Sequence, residues 1–370
     1  MLFILILKNK VKQTPRQKRE FRKGGCKVPI FTIFVLTSLL KWISLRKKTL
    51  KMNSKKILVI GAAGQIGSEL TMKLRGLIGN NNVIASDIKN GGAELMNSGT
   101  FEIVDATDKA GIESLIEKHK ITDVYLMAAM LSATAEKFPM KAWSLNMDSL
   151  FNILNLAKDK KIERIFWPSS IAVFGPSSPK ENTPQTTIME PNTVYGISKQ
   201  TGERWCEYYF KKYGVDVRSI RFPGIISYKT LPGGGTTDYA IEIFHSALKD
   251  GSYTSFLSEN TALPMMFMDD ALKATVDIMQ APSEKIKVRS SYNLTAMSFT
   301  PNDLASEIRK QLPEFKIAYE PDSRQQIADS WPDSIDDSEA RKDWGWNHEF
   351  DLKILTRTML DGLKTEKLTF

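Results

Sequence analysis

Cysteine and histidine are scarce in this chain, which has two and three of them among 370 residues. Cys26 and Cys206 lie too far apart to outline a disulfide framework, and sparse cysteine is typical of a reducing compartment, so we expect the cytoplasm. His119, His245 and His348 are isolated, and no Cys/His cluster has the spacing of metal ligands. The scarcity argues against catalysis by bound zinc, and we predict no metal.

Acidic residues are almost missing from the first 51 residues, which hold fourteen Lys or Arg and only Glu20 as an acid. The chain carries +9 overall, so this leader carries +13 and the remainder −4, which excludes nucleic-acid binding by the remainder. Residues 28–45 are mostly apolar, but this run is shorter than the ~20 residues of a membrane-spanning helix. We expect residues 1–51 to be a disordered leader or no part of the natural mature protein, with membrane attachment as the alternative.

A glycine triplet follows the first predicted strand, residues 56–60. Its G-x-x-G-x-x-G spacing differs from the G-x-G-x-x-G fingerprint, but strand, loop and helix come in the same order. Gly61 permits a tight turn, Gly64 lets backbone approach a pyrophosphate, and Gly67 lets helix pack on strand. Free N–H groups at the helix N terminus, at Gln65 and Ile66, complete a predicted dinucleotide site.

Carboxylates follow the next two predicted strands. Asp87 stands twenty residues after Gly67, where it would accept a hydrogen bond from the ribose 2′-OH and repel a 2′-phosphate. This favours NAD over NADP; the alternative is a turn residue or a helix cap. Asp105 is a candidate for the adenine end or, equally, a helix N-cap. The other residues placed at the cofactor are Ile88, Ala106, Met127, Ala128, Ala129 and Ile225.

Strands and helices alternate through this half of the chain. The pattern predicts an α/β fold, namely a Rossmann-type doubly wound parallel sheet with a smaller C-terminal substrate-binding α/β subdomain. We place the NAD-binding domain at residues 52–225. Residues 226–370 would be mostly the substrate subdomain, with segments returning to the first domain.

Tyr195 and Lys199 form a Tyr-x-x-x-Lys pair, and Ser170 stands 25 positions before the tyrosine. Residues four apart share a helix face, where the ammonium would favour the phenolate and lower the phenol's pKa from about 10. Such a phenolate suits removal of an alcohol proton near neutral pH. Ser170, after a strand predicted at residues 164–168, would hold the alcohol. The alternatives are a solvated helix face and a strand-end turn.

Taken in order, these motifs resemble the extended short-chain dehydrogenase/reductase superfamily over residues 55–225. Later segments are similar to the L-threonine 3-dehydrogenases of this superfamily and extend the match to nearly all of residues 53–365. Phe174 stands where many extended members have Tyr. The later segments include Arg221-Phe222-Pro223-Gly224-Ile225, Pro232-Gly233-Gly234-Gly235-Thr236-Thr237-Asp238, Leu263-Pro264-Met265-Met266-Phe267 and Asp329-Ser330-Trp331-Pro332.

The resemblance implies NAD-dependent oxidation of L-threonine to 2-amino-3-oxobutyrate, a step of threonine catabolism towards glycine. Tyr195 would be the general base, Ser170 would orient the substrate hydroxyl, and Lys199 would also hold the nicotinamide ribose. Family members form homodimers through two helices, here at residues 143–158 and 195–213. The surplus of apolar residues on these helices independently predicts an interface.

The triple glycine and the threonines that follow it suit the carboxylate of an amino-acid substrate. Exposed N–H groups of Gly234 and Gly235 with the Thr237 hydroxyl would make an anion nest for a substrate carboxylate, with a flexible glycine linker as the alternative. By resemblance, Ser132 and Thr237 lie against the substrate and the Trp331 segment helps to close the site.

Three rival functions stay open. A nucleotide-sugar epimerase or dehydratase would use the same Ser170, Tyr195 and Lys199, but needs a pocket basic enough for a diphosphate, and no basic cluster follows Gly235. A non-catalytic NAD-sensing regulator and a membrane-anchored protein with a functional leader are the others.

Overall fold

The described part of the chain, residues 55–229 and 233–366 of this computed structural model, alternates strands with helices. The expectations for residues 1–51 lie outside these residues. The strands are β1 Ile57–Ile60, β2 Val83–Asp87, β3 Phe101–Ile103, β4 Asp123–Leu126, β5 Arg164–Phe166, β6 Ser169–Ser170, β7 Asp216–Arg218, β8 Ile220–Phe222, β9 Gly224–Ile226, β10 Ser252–Ser255, β11 Leu263–Phe267, β12 Tyr292–Asn293, β13 Met297–Phe299 and β14 Lys316–Tyr319.

The helices are α1 Gln65–Ile78, α2 Ala93–Asn97, α3 Lys109–His119, α4 Ser132–Lys137, α5 Pro139–Lys158, α6 Val194–Tyr213, α7 Tyr239–Lys249, α8 Met268–Gln280, α9 Pro301–Arg309, α10 Ser323–Asp329, α11 Ser338–Trp344 and α12 Leu352–Glu366. Among the residues that the structure describes, no helix is long and apolar enough to cross a membrane.

Six parallel strands form the central sheet in the order β3-β2-β1-β4-β5-β7. The chain moves outward from β1 in one direction through β3 and then in the other through β4. Loops therefore diverge from the carboxyl ends of β1 and β4, which is where ligands bind in sheets of this kind. This confirms the predicted doubly wound sheet.

Strand β1 forms because four apolar, mostly β-branched residues can be buried from both sides. Ile57 and Val59 point into one apolar cluster, while Leu58 and Ile60 point into another on the opposite face. Helix α1 belongs to the first cluster and α5 to the second. Burial on both faces fixes the position of the glycine loop that follows β1.

The strand predicted at residues 164–168 is shorter than expected and ends at Phe166. Pro168 has no N–H to donate to a ladder, so the pairing of the central sheet stops there. The chain resumes as β6, whose Ser169 and Ser170 pair in parallel with β8 in a separate three-stranded sheet, β12-β8-β6. Ser170 therefore lies on its own short strand beyond the edge of the central sheet.

The C-terminal half adds two more small sheets. Strand β9 pairs with β11, and β11 pairs with β13, while β10 pairs with β14. An apolar cluster between these strands and helices α7, α9 and α12 forms the core of this half. The boundary at residues 225/226 stays a prediction, because β9 spans it and pairs with a later strand.

Candidate active site

The glycine loop is packed so closely that it admits no side chains at two positions. Gly61 has φ +86°, and a Cβ there would lie 2.4 Å from the backbone nitrogen of Ala128. A Cβ on Gly67 would lie 2.1 Å from the Gly61 carbonyl oxygen. At the start of α1, Gln65 Nε2 is buried and has no hydrogen-bond partner within the described structure. A close backbone cradle with a spare donor at a helix N terminus fits a dinucleotide phosphate.

Asp87 joins this loop to the neighbouring strand. Its carboxylate accepts hydrogen bonds from Ala63 N at 3.0 Å and from Lys89 N at 3.4 Å. The alternative reading as a turn residue is thus partly correct, because Asp87 orders the chain on both sides. It also lines a cavity of about 490 Å³, so the carboxylate is placed to meet a ribose.

Asp105 is not a helix N-cap. Its Oδ1 accepts from Thr107 N at 2.8 Å and from Thr107 Oγ1 at 2.7 Å, whereas Asp108 caps α3 by accepting from Gly111 N. The Asp105 turn lines the same cavity as Asp87. The other predicted cofactor residues found there are Ile88, Ala106, Met127, Ala128 and Ala129, with Gly61 and Gly64 at the inner end.

A second cavity, of about 220 Å³, adjoins the first at Gly61, Gly64, Met127 and Ala129. Apart from Gly234, every remaining residue predicted for the site lines it, although these residues come from seven separate segments. These residues are Gln65, Ile66, Gly67, Ser132, Ser170, Tyr195, Lys199, Ile225, Gly235, Thr237 and Trp331. The two cavities thus bring together the predicted cofactor, catalytic and substrate residues, with the exception of Gly234.

Tyr195 lies in the first turn of α6, which is fixed by the Thr193 side chain accepting a hydrogen bond from Gly196 N. Tyr195 and Ser170 both line the smaller cavity. Burial raises the pKa of Tyr195 to about 12, although interaction with Ser170 lowers it. Phenol and serine hydroxyl therefore converge on one point of the cavity wall, with the phenol protonated near neutral pH.

Lys199 does not lower the pKa of Tyr195 in the way that the sequence predicted. Its Nζ donates to the Pro168 carbonyl oxygen at 2.6 Å and lies 4.6 Å from the centroid of the Trp167 ring. Burial lowers the pKa of Lys199 to about 7, against the raising effects of Cys206 and Glu203. An amine that is neutral over much of the working range supplies little positive charge to the phenol.

The predicted anion nest at the triple glycine is already engaged. The N–H groups of Gly234 and Gly235 donate to Asp238 Oδ2 at 2.8 and 2.6 Å. The prediction that they would hold a substrate carboxylate is therefore wrong for this arrangement, because a carboxylate of the chain takes the place. Beside them, Thr236 Oγ1 is buried without a hydrogen-bond partner in the described structure and lines the smaller cavity with Thr237.

Sequence reasoning missed several residues of the cavity walls. Thr236 and Asp238 flank a residue that was predicted, so their motif carried a usable signal. On the cofactor side, Lys141, Ser144 and Leu145 belong to α5, and no local motif marks them. The other residues missed are Ile60, Ala63, Lys89, Val104, Thr107, Leu131, Pro168, Ser169, Ile171, Phe222, Pro223 and Gly224.

The fold and the cavities define a dinucleotide-dependent enzyme with a serine, a tyrosine and a lysine at the reacting end. The sequence profile described as the NAD dependent epimerase/dehydratase family matches residues 57–294, and the chain belongs to this family. Its cofactor is accordingly NAD, as predicted.

Solved and curated relatives cover most of the chain. It is 56% identical to L-threonine dehydrogenase from Cupriavidus necator in its holo form, over 83% of this chain and 99% of that one, with a TM-score of 0.82. It is 49% identical to L-threonine dehydrogenase from Clostridium difficile, over 84% and 98%, with a TM-score of 0.83. An uncharacterized epimerase/dehydratase of Staphylococcus saprophyticus is 50% identical over 84% of this chain and 97% of its own length. The predicted resemblance is thereby confirmed.

Proposed function

We propose that this enzyme oxidises L-threonine at its side-chain carbon to 2-amino-3-oxobutyrate, with NAD as the oxidant. The observation that carries the proposal is the smaller cavity, where Ser170, Tyr195 and Thr237 meet beside the glycine loop. Similarity to L-threonine dehydrogenases over more than four fifths of the chain supports it.

The chemistry assigned to the residues follows from their positions. Ser170 holds the substrate hydroxyl, and Tyr195 removes its proton as the carbon–hydrogen bond of the same carbon breaks and a carbonyl forms. Oxidised nicotinamide, when bound, supplies the acceptor for the hydride. Lys199 takes part in the proton balance of Tyr195 and holds the ribose, while Gly61, Gly64 and Gly67 hold the phosphates.

The protonation of Tyr195 is best treated as a property of the pair. The pKa of Lys199 is about 7 and that of Tyr195 is about 12. Between these two pH values, the lysine and the tyrosine together hold one dissociable proton, although they could hold two. In that range, transfer of a proton from phenol to amine yields phenolate and ammonium without uptake from solvent. The base is then generated inside the cavity when the substrate arrives.

The charge of the smaller cavity argues against a sugar-nucleotide substrate. Of the described residues that line it, only Lys199 and Asp238 carry ionisable side chains besides Tyr195, and none is an arginine. A nucleotide diphosphate is usually recognised by arginine forks or clustered lysines. A small zwitterion with a hydroxyl needs neither.

Substrate profiling tests the proposal. Purified enzyme with NAD should produce NADH from L-threonine, and less from L-allo-threonine, L-serine or DL-3-hydroxynorvaline. A UDP-sugar in place of the amino acid is the comparison for the rival epimerase function. Turnover of the UDP-sugar with none of L-threonine would refute the proposed substrate.

We also keep two predictions about the assembly and its compartment. A homodimer through α5 and α6 is supported by the exposed aromatic side chains Trp143, Trp205, Tyr208 and Tyr213 on these helices. A reducing cytoplasm suits the unpaired, buried thiol of Cys206. Light scattering that gave the mass of a single chain would contradict the dimer.

A further inference from the structure

A buried ion pair lies directly behind the predicted catalytic residues. Glu203 and Arg221 are 0% and 1% exposed, and they form two parallel hydrogen bonds, Nε to Oε1 and Nη2 to Oε2, both of 2.8 Å. Neither residue lines either cavity. A buried pair costs much desolvation and is weak support for stability by itself, so its position calls for a reason.

The position of Glu203 along the chain supplies one. Helix α6 presents Tyr195, Lys199 and Glu203 at successive intervals of four residues, so all three lie on one face. Glu203 Oε1 also accepts a hydrogen bond of 2.6 Å from the Ser169 hydroxyl, and Ser169 is followed by Ser170 on β6. One carboxylate thus fixes both the helix that carries Tyr195 and the strand that carries Ser170.

Arg221 connects Glu203 to another part of the wall of the smaller cavity. It lies on β8, directly before Phe222 and Pro223 of the cavity lining. Its Nη1 donates to Asn293 Oδ1 at 2.8 Å and to the Gln185 carbonyl at 3.1 Å. All five N–H donors of a guanidinium have fixed directions, so these bonds hold β8 at one distance from α6.

Glu203 also acts on the charge of Lys199. Burial lowers the pKa of Lys199 to about 7, and interactions with Cys206 and Glu203 oppose this effect. Burial raises the pKa of the Cys206 thiol, which therefore stays neutral, whereas Glu203 forms an ion pair with Arg221. Lys199 also faces the Tyr195 ring, which titrates, and the Trp167 ring and the Pro168 carbonyl, which do not.

We propose that the Glu203–Arg221 pair is a positioning unit that holds Tyr195 and Ser170 together. Because the charges of Glu203 and Arg221 are opposite, the unit places no net charge beside Lys199. The inference rests on the proposed function for the roles of Tyr195 and Lys199. It adds that a carboxylate and a guanidinium outside the cavity fix the pH range in which Tyr195 and Lys199 can act.

The acid limb of the kcat profile is the pH range in which kcat falls as Lys199 becomes protonated. Loss of Glu203 and loss of Arg221 should shift this limb in opposite directions. Glu203→Gln leaves the guanidinium uncompensated, and positive charge promotes proton loss from Lys199 and Tyr195, so the limb moves down by about one pH unit. Arg221→Gln leaves a carboxylate and moves the limb up. The double variant restores neutrality and brings the limb back towards that of the wild type.

Asp216→Asn is the matched control. Asp216 is also a carboxylate paired with arginines, Arg164, Arg218 and Arg289, but none of these four residues lies on α6 or β6, which carry Tyr195 and Ser170. It should lower the melting temperature and leave the limb unchanged. Ser169→Ala, which changes no charge and is mild enough to fold, should lower kcat several-fold without moving the limb.

A readout without substrate separates this inference from the proposed function. In NAD-saturated protein labelled with [13C]lysine, the Lys199 resonance, assigned by its loss in Lys199→Met, should titrate at lower pH in Glu203→Gln. Such a shift alongside failure to oxidise L-threonine would sink the proposed substrate and leave the positioning unit standing. The positioning unit would be overturned if neither the titration of Lys199 nor the acid limb of kcat shifted in Glu203→Gln. If that variant does not fold, an unchanged kcat in Ser169→Ala would overturn the unit.

Discussion

Lys199 Nζ lies 5.6 Å from the centroid of the Tyr195 ring, yet its hydrogen bond goes to the carbonyl oxygen of Pro168. The lysine therefore stands beside the phenol's ring without solvating its oxygen. Because of this geometry, the pKa of the lysine differs from that of the tyrosine, and the protonation of the site depends on both groups.

Replacement of Tyr195 by Phe removes the proposed base and little else. Because Ser170 and the glycine loop are untouched, NAD should bind with nearly the wild-type dissociation constant, while kcat falls by about 10²–10⁴. Calorimetric titration with NAD and stopped-flow NADH formation measure the two effects. Tyr319→Phe deletes a hydroxyl on β14, away from both cavities, and serves as the control. Substantial turnover by Tyr195→Phe would remove the tyrosine from the mechanism.

The pH dependence of kcat should show an acid limb near pH 7. Below the pKa of Lys199, about 7, the pair holds both protons and cannot form phenolate beside ammonium. Because one proton must leave, kcat should fall roughly tenfold per pH unit on that side. Above it, kcat should be level up to the pKa of Tyr195, about 12, or until the protein unfolds. A profile that is flat from pH 5 to pH 8 would contradict the coupled pair.

Two glycines of α1 should respond oppositely to the same methyl group. Gly67→Ala drives a Cβ to within 2.1 Å of the Gly61 carbonyl, so the helix must move from the strand, which costs about 1–3 kcal/mol or more. Its NAD affinity should fall as the cradle opens. Gly76 lies on the same helix with no atom within 4 Å of a new Cβ, so Gly76→Ala should stabilise by about 0.5–1 kcal/mol. Thermal unfolding with and without NAD measures both.

Asp87 should decide which dinucleotide binds. Asp87→Asn keeps an oxygen that can accept from Ala63 N but removes the charge that repels a 2′-phosphate. The preference for NAD over NADP should therefore shrink by roughly ten- to hundred-fold, the worth of one hydrogen bond to a charged group. Asp108→Asn, a cap of α3 outside both cavities, provides the control. Unchanged dissociation constants for both dinucleotides would show that the carboxylate does not meet the ribose.

The motif residues of the site were predictable from sequence, but their hydrogen-bond partners were not. Gly61, Asp87 and Tyr195 belong to short motifs whose spacing directly implies backbone geometry, and all three line the cavities as expected. The partner of Lys199, by contrast, is a carbonyl thirty-one residues earlier in the chain. The Asp238 side chain competes for the glycine N–H groups through a turn that the motif itself does not reveal. Tertiary packing decides which groups form these hydrogen bonds, and the spacing of residues within a motif carries no information about that packing.

Lys199 should make the folded protein less stable than an apolar side chain would. Its pKa falls on burial from 10.5 in the unfolded chain to about 7, so the folded state binds the proton less tightly. Lys199→Met should therefore raise the melting temperature of the cofactor-free protein while abolishing turnover. Each unit of pKa difference corresponds to about 1.4 kcal/mol, so the gain should be several kcal/mol.

The sign of the pH effect makes this prediction specific. Above about pH 10.5 the amine of the wild type is neutral in both states, and the variant gains little. As the pH falls towards 7, the unfolded wild type takes up a proton that the folded state does not, so the advantage of Lys199→Met should grow and then level off. Calorimetry between pH 6 and pH 10 measures the difference, with Lys212→Met, at an exposed position of the same helix, as the control. An advantage that is equal at both ends of the range would show that Lys199 keeps its ordinary pKa and that the coupled pair does not exist.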